Sequence, residues 1–166
     1  MDTSRARALF MTARVARLAT ISAASGATAD SAMGAAAGAA TSATGAPRIV
    51  PVTFDVDGDT VAFAIDHKPK RTTDLRRLRD IAADGRVCLL ADHYEDDWTR
   101  LWWVRADGRA RIVTDGPDRD RALTRLARRY PQYRERPPHG PVVLIEVTSW
   151  TGWAFSDPFS DPSREG

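Results

Sequence analysis

Two Asp-Gly dipeptides set the main constraint on this chain. Asp57-Gly58 separates the strand-like run PRIVPVTFDV (47–56) from TVAFAID (60–66), and Asp107-Gly108 separates residues 99–106 from 109–114. Asp-Gly between β-branched and aromatic runs signals a two-residue hairpin turn, because Asp and Gly tolerate the positive φ such turns need. A chain punctuated this way builds antiparallel sheet. Further strand-like runs lie at 15–22, 86–92, 142–148 and 150–155. Helical spacing appears at 3–14 (Ala6, Leu9, Phe10, Ala13), at 72–83 (Leu75, Leu78, Ile81, Ala82) and at 117–130 (Ala122, Leu123, Leu126, Ala127, Tyr130). Thr3 or Ser4 caps the first helix, Thr72 or Thr73 the second, and Pro117 opens the third. Residues 67–71 and 131–141 read as loops. The expected fold is mainly β (α+β): about seven antiparallel strands in a closed or split barrel with peripheral helices.

Residues 23–46 differ in kind, being alanine, glycine, serine and threonine apart from Asp30 and Met33. Such a segment has little bulk to bury against its ordering entropy, so it reads as a mobile insertion at a hairpin tip. The expectation is one domain over 1–155 with this insertion, and a tail over 156–166. With 43% hydrophobic residues, 166 residues suffice for one real core. No apolar run is long enough to span a bilayer, and the first residues lack a signal-peptide core, so the expected location is cytoplasmic with no membrane partner. Cys88, the one cysteine, leaves no internal disulfide and reads as an inert core residue. A net charge of +2 gives no basis for bulk nucleic-acid binding.

The segment Lys68-Pro69-Lys70-Arg71-Thr72-Thr73 carries the clearest chemistry. Lys68 and Lys70 are the only lysines in a chain whose other basic residues are arginine. Three cations before a helix N-terminus oppose the helix dipole, at about 0.3–1 kcal/mol each. A bound anion reverses that sign, meeting free N–H groups, two threonine hydroxyls and the cationic heads; phosphate suits best. The same residues read equally well as solvated surface cations.

Five tryptophans form the second feature. Trp102 and Trp103 are adjacent in a strand and so point to opposite faces; Trp150 and Trp153 do likewise. At least one is expected at an interface or ligand surface, with packing of all five in a large core as the alternative. His67, His93 and His139 have no metal-ligand spacing, Glu95-Asp96-Asp97 reads as a solvated loop, and no nucleophile with its base appears, so no metal and no catalytic side chain are assigned. Any redox chemistry would come from a bound cofactor.

The stretches VARLAT, PRIVPVTFDVDGDTVAFAID, KPKRTTDLRRLRDIAADGRVCLLADHY, DWTRLWWVRADGRARI and GPVVLIEVTSWTGWAF, in this order, resemble the pyridoxamine 5′-phosphate oxidase-like split β-barrels. The resemblance covers nearly the whole chain apart from the insertion. It is nearest to the actinobacterial branch that uses the deazaflavin coenzyme F420. It implies an FMN- or F420-binding split barrel and a homodimer with the cofactor in the intersubunit groove. Lys70 and Arg71, with Lys68 before them and Thr72 beside them, match the cluster that holds the cofactor phosphate. Val50, Pro51, Val52 and Thr53 match the strand lying against the flavin-like ring, and Ala64 and Ile65 match its neighbour. Trp102 and Trp103 match residues given to the partner's site, with Trp153 a further candidate.

The chain departs from the true oxidases, which use an arginine and a lysine around strand 48–54. Arg48 stands near the first, but Phe54 or Thr53 replaces the second, and tryptophan near 102–103 replaces a glutamine of the FMN pattern. Arg76, Arg77 and Arg79 offer a basic surface for a polyglutamyl tail. The resemblance therefore implies an F420-dependent oxidoreductase that passes hydride to a small unsaturated organic substrate. An FMN-dependent enzyme, or a non-catalytic F420 or flavin carrier or sensor, are the alternatives.

Overall fold

The computed structural model describes residues 1–22, 45–65 and 73–156. Its elements are α1 (Thr3–Thr12), β1 (Ala16–Ile21), β2 (Pro47–Val52), β3 (Asp55–Asp57), β4 (Thr60–Ala64), α2 (Thr73–Ala83), β5 (Arg86–His93), β6 (Trp102–Val113), α3 (Pro117–Arg129), α4 (Pro131–Glu135) and β7 (Val142–Ala154), with a 3-10 turn at Trp98–Arg100. Residues 23–44 of the expected 23–46 insertion and the tail from 157 lie outside the described residues.

All strands join one antiparallel sheet in the order β2-β1-β5-β6-β7-β4-β3. Its edge strands, β2 and β3, are consecutive in the chain and separated only by Thr53 and Phe54. A flat seven-stranded sheet would hold its edges roughly 29 Å apart, six spacings of about 4.8 Å. Three Cα steps span at most about 11 Å. The sheet must therefore curl until its edges meet, giving the expected split barrel with its seam at Thr53-Phe54.

The core fills the inside of that curl. Phe10, Leu18, Phe54, Val56, Phe63, Leu89, Val104 and Ile145 are buried together. On β4 and β7 the outer positions are buried too, because α3 lays Ala122 and Leu126 against Ala62, Ala64, Val142 and Leu144. This explains the unbroken apolar runs VAFA and VVLI, since a strand covered on both faces loses its alternation.

Several sequence expectations need correction. Asp107-Gly108 is no turn. β6 runs straight through it, and the register against β7 shifts there, from Asp107↔Ser149 to Gly108↔Val147. Thr148 is the extra residue of this β-bulge, and its hydroxyl donates to the Asp107 carbonyl at 3.1 Å. A Cβ on Gly108 would lie 2.3 Å from the Glu146 carbonyl oxygen, so the glycine permits close approach rather than reversal. For the same reason 142–148 and 150–155 are one strand. Asp57-Gly58 does turn, with Gly58 at φ 59°. Asp2 caps α1, its carboxylate accepting from the Arg5 N–H at 2.9 Å, with Thr3 and Ser4 already inside the helix. The expected 131–141 loop begins with α4.

Candidate functional site

The seam is where the ladder stops. β3 pairs with β4 from Asp57↔Thr60 to Asp55↔Ala62 and no further. Continued backwards, that register sets Thr53 opposite Ala64 and Val52 opposite Ile65. The two groups that the resemblance names are thus adjacent in strand register, and among the described residues no ladder pair joins them. Val50 is half-buried, Pro51 exposed, Val52 buried and Thr53 half-buried, while Ala64 and Ile65 are buried. β2 pairs only with β1, so its other edge keeps backbone donors and acceptors outside the sheet.

Two tyrosines brace this edge. The Tyr130 hydroxyl accepts from the Phe54 N–H at 3.1 Å and lies 2.9 Å from the carbonyl oxygens of Phe54 and Arg14. The Tyr133 hydroxyl lies 2.9 Å from Thr53 Oγ1. Both rings are buried and meet edge-on, with centroids 5.8 Å apart. Sequence reasoning finds Tyr130 only as an inward helix position and misses Tyr133; their partners lie 76 and 80 residues away.

Lys68, Lys70, Arg71 and Thr72 lie outside the described residues. In the chain they stand between Ile65 at the seam and Thr73, the first residue of α2. α2 packs Leu78 and Ile81 into the core and holds Asp80 almost fully buried, with Arg48 Nε 3.5 Å from its carboxylate. Arg48 on β2 is therefore engaged with α2. Of the arginines expected to form a basic surface, Arg76 and Arg79 are exposed, while Arg77 lies over the Phe63 ring at 5.9 Å.

The tryptophans divide between the faces as period-two alternation requires. Trp102 packs on the core and stacks with His93 at 6.5 Å and 21°. Trp150 meets the Phe10 ring at 5.3 Å and donates to Asp59 at 2.9 Å. Trp103 and Trp153 oppose each other across β6 and β7 on the outer face, where Trp153 is 43% exposed. The ladder pairs Arg105↔Leu90, Leu90↔Arg17 and Arg17↔Pro51 put three strand spacings, about 14 Å, between β6 and β2. One chain thus does not bring Trp102 or Trp103 against the seam.

Cys88 is half-buried on the outer face rather than in the core. Burial, reinforced by Asp107, pushes its thiol up to about 11, so it stays protonated at neutral pH. Among the described residues no three His, Cys, Asp or Glu side chains converge to hold a metal ion. No described helix is long and apolar enough to cross a membrane. The acidic loop is bonded: Asp97 caps the 3-10 turn, and Glu95 takes Arg100 at 2.9 Å.

The sequence profile of the pyridoxamine 5′-phosphate oxidase family matches residues 3–154. The chain belongs to this family. No curated protein matches it in sequence. Solved structures similar to this family member include a hypothetical protein from Mycobacterium tuberculosis, with a TM-score of 0.63 at 19% identity, covering 95% of this chain and 87% of that one. A protein from Mesorhizobium loti described as FAD-binding has a TM-score of 0.60 at 16% identity, covering 92% and 94%. The FAD binding protein of Mycobacterium smegmatis has a TM-score of 0.52 at 19% identity, covering 92% and 96%. At these identities the likeness is one of fold.

Proposed function

We propose that this protein is a homodimeric oxidoreductase that takes a flavin-type coenzyme at the barrel seam, and that the coenzyme is F420. The observation that carries the reading is the barrel seam in a member of this family, where among the described residues one backbone edge of β2 stays unpaired. Backbone donors and acceptors in a row suit the polar edge of a flavin-like ring, and small apolar neighbours suit its face. The FAD-binding descriptions of two similar structures support a ring of this type.

Val50, Pro51, Val52 and Thr53 would hold the ring, with Tyr133 fixing Thr53. Lys68, Lys70, Arg71 and Thr72, continuing from Ile65 to the start of α2, would take the phosphate. Trp102 and Trp103 of the partner subunit would close the groove and exclude water. The exposed apolar side chains of Ile49 (68%), Trp153 and Phe155 support a second copy covering part of this surface. When bound, the reduced deazaflavin supplies a hydride to an unsaturated organic substrate. F420 is favoured over FMN with pyridoxamine phosphate because Phe54 or Thr53 replaces the lysine of the true oxidases, neither of them a cation, and Arg48 lies 3.5 Å from Asp80.

Titration of the protein with F420 and with FMN, followed by tryptophan quenching, tests this. F420 is expected to bind at least about tenfold more tightly, and Arg71→Ala to weaken it by a further factor of about ten. Tighter FMN binding would transfer the reading to an FMN enzyme. Tight F420 binding without turnover on enones and quinones would make the protein a carrier, and binding of neither would end the coenzyme reading.

A further inference from the structure

The edge strand β2 carries two prolines, Pro47 and Pro51, and they decide what its free edge can offer. In an antiparallel strand the N–H and C=O of one residue point to the same side, and successive residues alternate sides. The Ser22 N–H donates to the Ala46 carbonyl at 3.0 Å, continuing the β1–β2 register by one residue. Residue 46 therefore turns towards β1, and Arg48, Val50 and Val52 turn with it. Pro47, Ile49 and Pro51 turn to the free edge, where the missing N–H of proline costs no ladder bond.

The same alternation holds on the far side of the seam. The Ile65 N–H donates to the Pro141 carbonyl at 3.1 Å, so Ile65 turns towards β7 and its even-numbered neighbours in β4 turn towards β3. Asp55, opposite Ala62, accordingly turns towards β4. Thr53 lies two residues after Pro51 and two before Asp55, and it shares their side.

The free edge is thus unequal. Its carbonyls belong to Pro47, Ile49, Pro51 and Thr53, but its N–H groups only to Ile49 and Thr53. Among the described residues the Pro51 carbonyl and the Thr53 N–H have no backbone partner, because the ladder ends at Asp55↔Ala62. Their place is fixed from α3 and α4: the Phe54 N–H donates to the Tyr130 hydroxyl at 3.1 Å, and the Tyr133 hydroxyl lies 2.9 Å from Thr53 Oγ1. In a sheet, such an acceptor and donor two residues apart are met by one N–H and one C=O of the next strand. A further strand is disfavoured here, because it would find no donor at 47 or 51. A cyclic amide brings the same N–H and C=O side by side on a rigid ring.

We propose that this pair reads the –NH–CO– edge of the coenzyme ring, the ring N–H donating to the Pro51 carbonyl and a ring carbonyl accepting from the Thr53 N–H. The inference rests on the coenzyme reading of the seam. It holds for F420 and FMN alike, since both rings carry an imide N–H flanked by carbonyls.

Titration of the unaltered full-length protein with F420 and FMN, and with each methylated on the imide nitrogen, tests the proposal through tryptophan quenching. The methylated form of whichever coenzyme binds is expected to bind at least about tenfold more weakly. Amide hydrogen exchange followed by NMR gives the second readout. Exchange of the Thr53 N–H should slow at least about tenfold when that coenzyme saturates the protein, while the Val50 N–H, turned towards β1, keeps its rate. Equal binding of the methylated coenzyme, or a Thr53 N–H that exchanges at the same rate with and without coenzyme, would overturn this inference and leave the coenzyme reading standing. Binding of neither parent coenzyme would end both.

Discussion

Two arginine-rich surfaces of this molecule use the same residue in opposite ways. Where α3 meets β3, every charge in the small depression has a partner. Arg125 reaches Asp55 at 2.6 Å and Asp57 at 3.0 Å, and Arg111 and Arg121 both hold Asp118. At the larger cleft, between the end of α1 and the starts of β1 and β6, Arg14 has its backbone fixed and, among the described residues, no carboxylate partner. The difference teaches that arginine abundance says little in this chain, and that matching by a carboxylate is what makes an arginine a clamp. The α3 clamp closes the free side of the edge strand β3, which otherwise has only β4 as a neighbour.

Tyr130 lines neither surface but is buried between them, under Arg14 and bonded to Phe54, so it is the sharpest place to break the comparison. Tyr130→Ala removes a buried ring beneath Arg14 and beside Phe54, and is expected to cost about 3–5 kcal/mol of unfolding free energy. Tyr130→Phe keeps the ring and leaves the buried Phe54 N–H without its acceptor, for about 1–3 kcal/mol. Denaturant unfolding checks both. Equal stability of Tyr130→Phe and the unaltered protein would mean that the hydroxyl does not hold the seam.

The next effect separates the two surfaces. Arg125→Met strips Asp55, itself mostly buried, of its partner. The expected cost is about 1–2 kcal/mol, between that of exposed and buried pairs. Arg14→Gln should leave stability within about 0.5 kcal/mol. Thermal melts read both. An equal loss in the two variants would join what the geometry keeps apart.

What could be read from the sequence follows from the range of the interaction concerned. The division of Trp102 from Trp103 needs only the period of a strand, and the structure has it. The third helix needs only Pro117 and a 3.6-residue period, and its inward face is as expected. Asp107-Gly108 misled because its local chemistry is that of a turn. The contact that decides its role, Gly108 against the Glu146 carbonyl, comes from a strand 38 residues further on. The seam shows the same limit: it depends on closure of the whole sheet, and no local pattern at Val50–Thr53 or Ala64–Ile65 announces it. The cleft left no local signal, because its lining comes from both ends of the chain and from two strands between.

The smallest effect is expected at a matched pair on the surface, where α2 gives way to β5. Asp84 accepts from the Arg86 side chain at 2.6 Å and from its backbone N–H at 3.0 Å. The Arg86 side chain chiefly, and then that N–H, hold the Asp84 carboxyl at about 2, below its ordinary 3.8. A carboxylate whose folded value is depressed stabilises the fold while it is ionised in both states. That contribution is therefore complete above pH 3.8 and is lost as pH falls through about 2. Asp84→Asn should lower the melting temperature slightly at neutral pH, and the difference from the unaltered protein should close between these two values. Because the pair is exposed, salt should shrink the difference as well. A gap that persists at pH 2 would assign the stabilisation to hydrogen bonding by a neutral side chain, and would remove the ion pair as its cause.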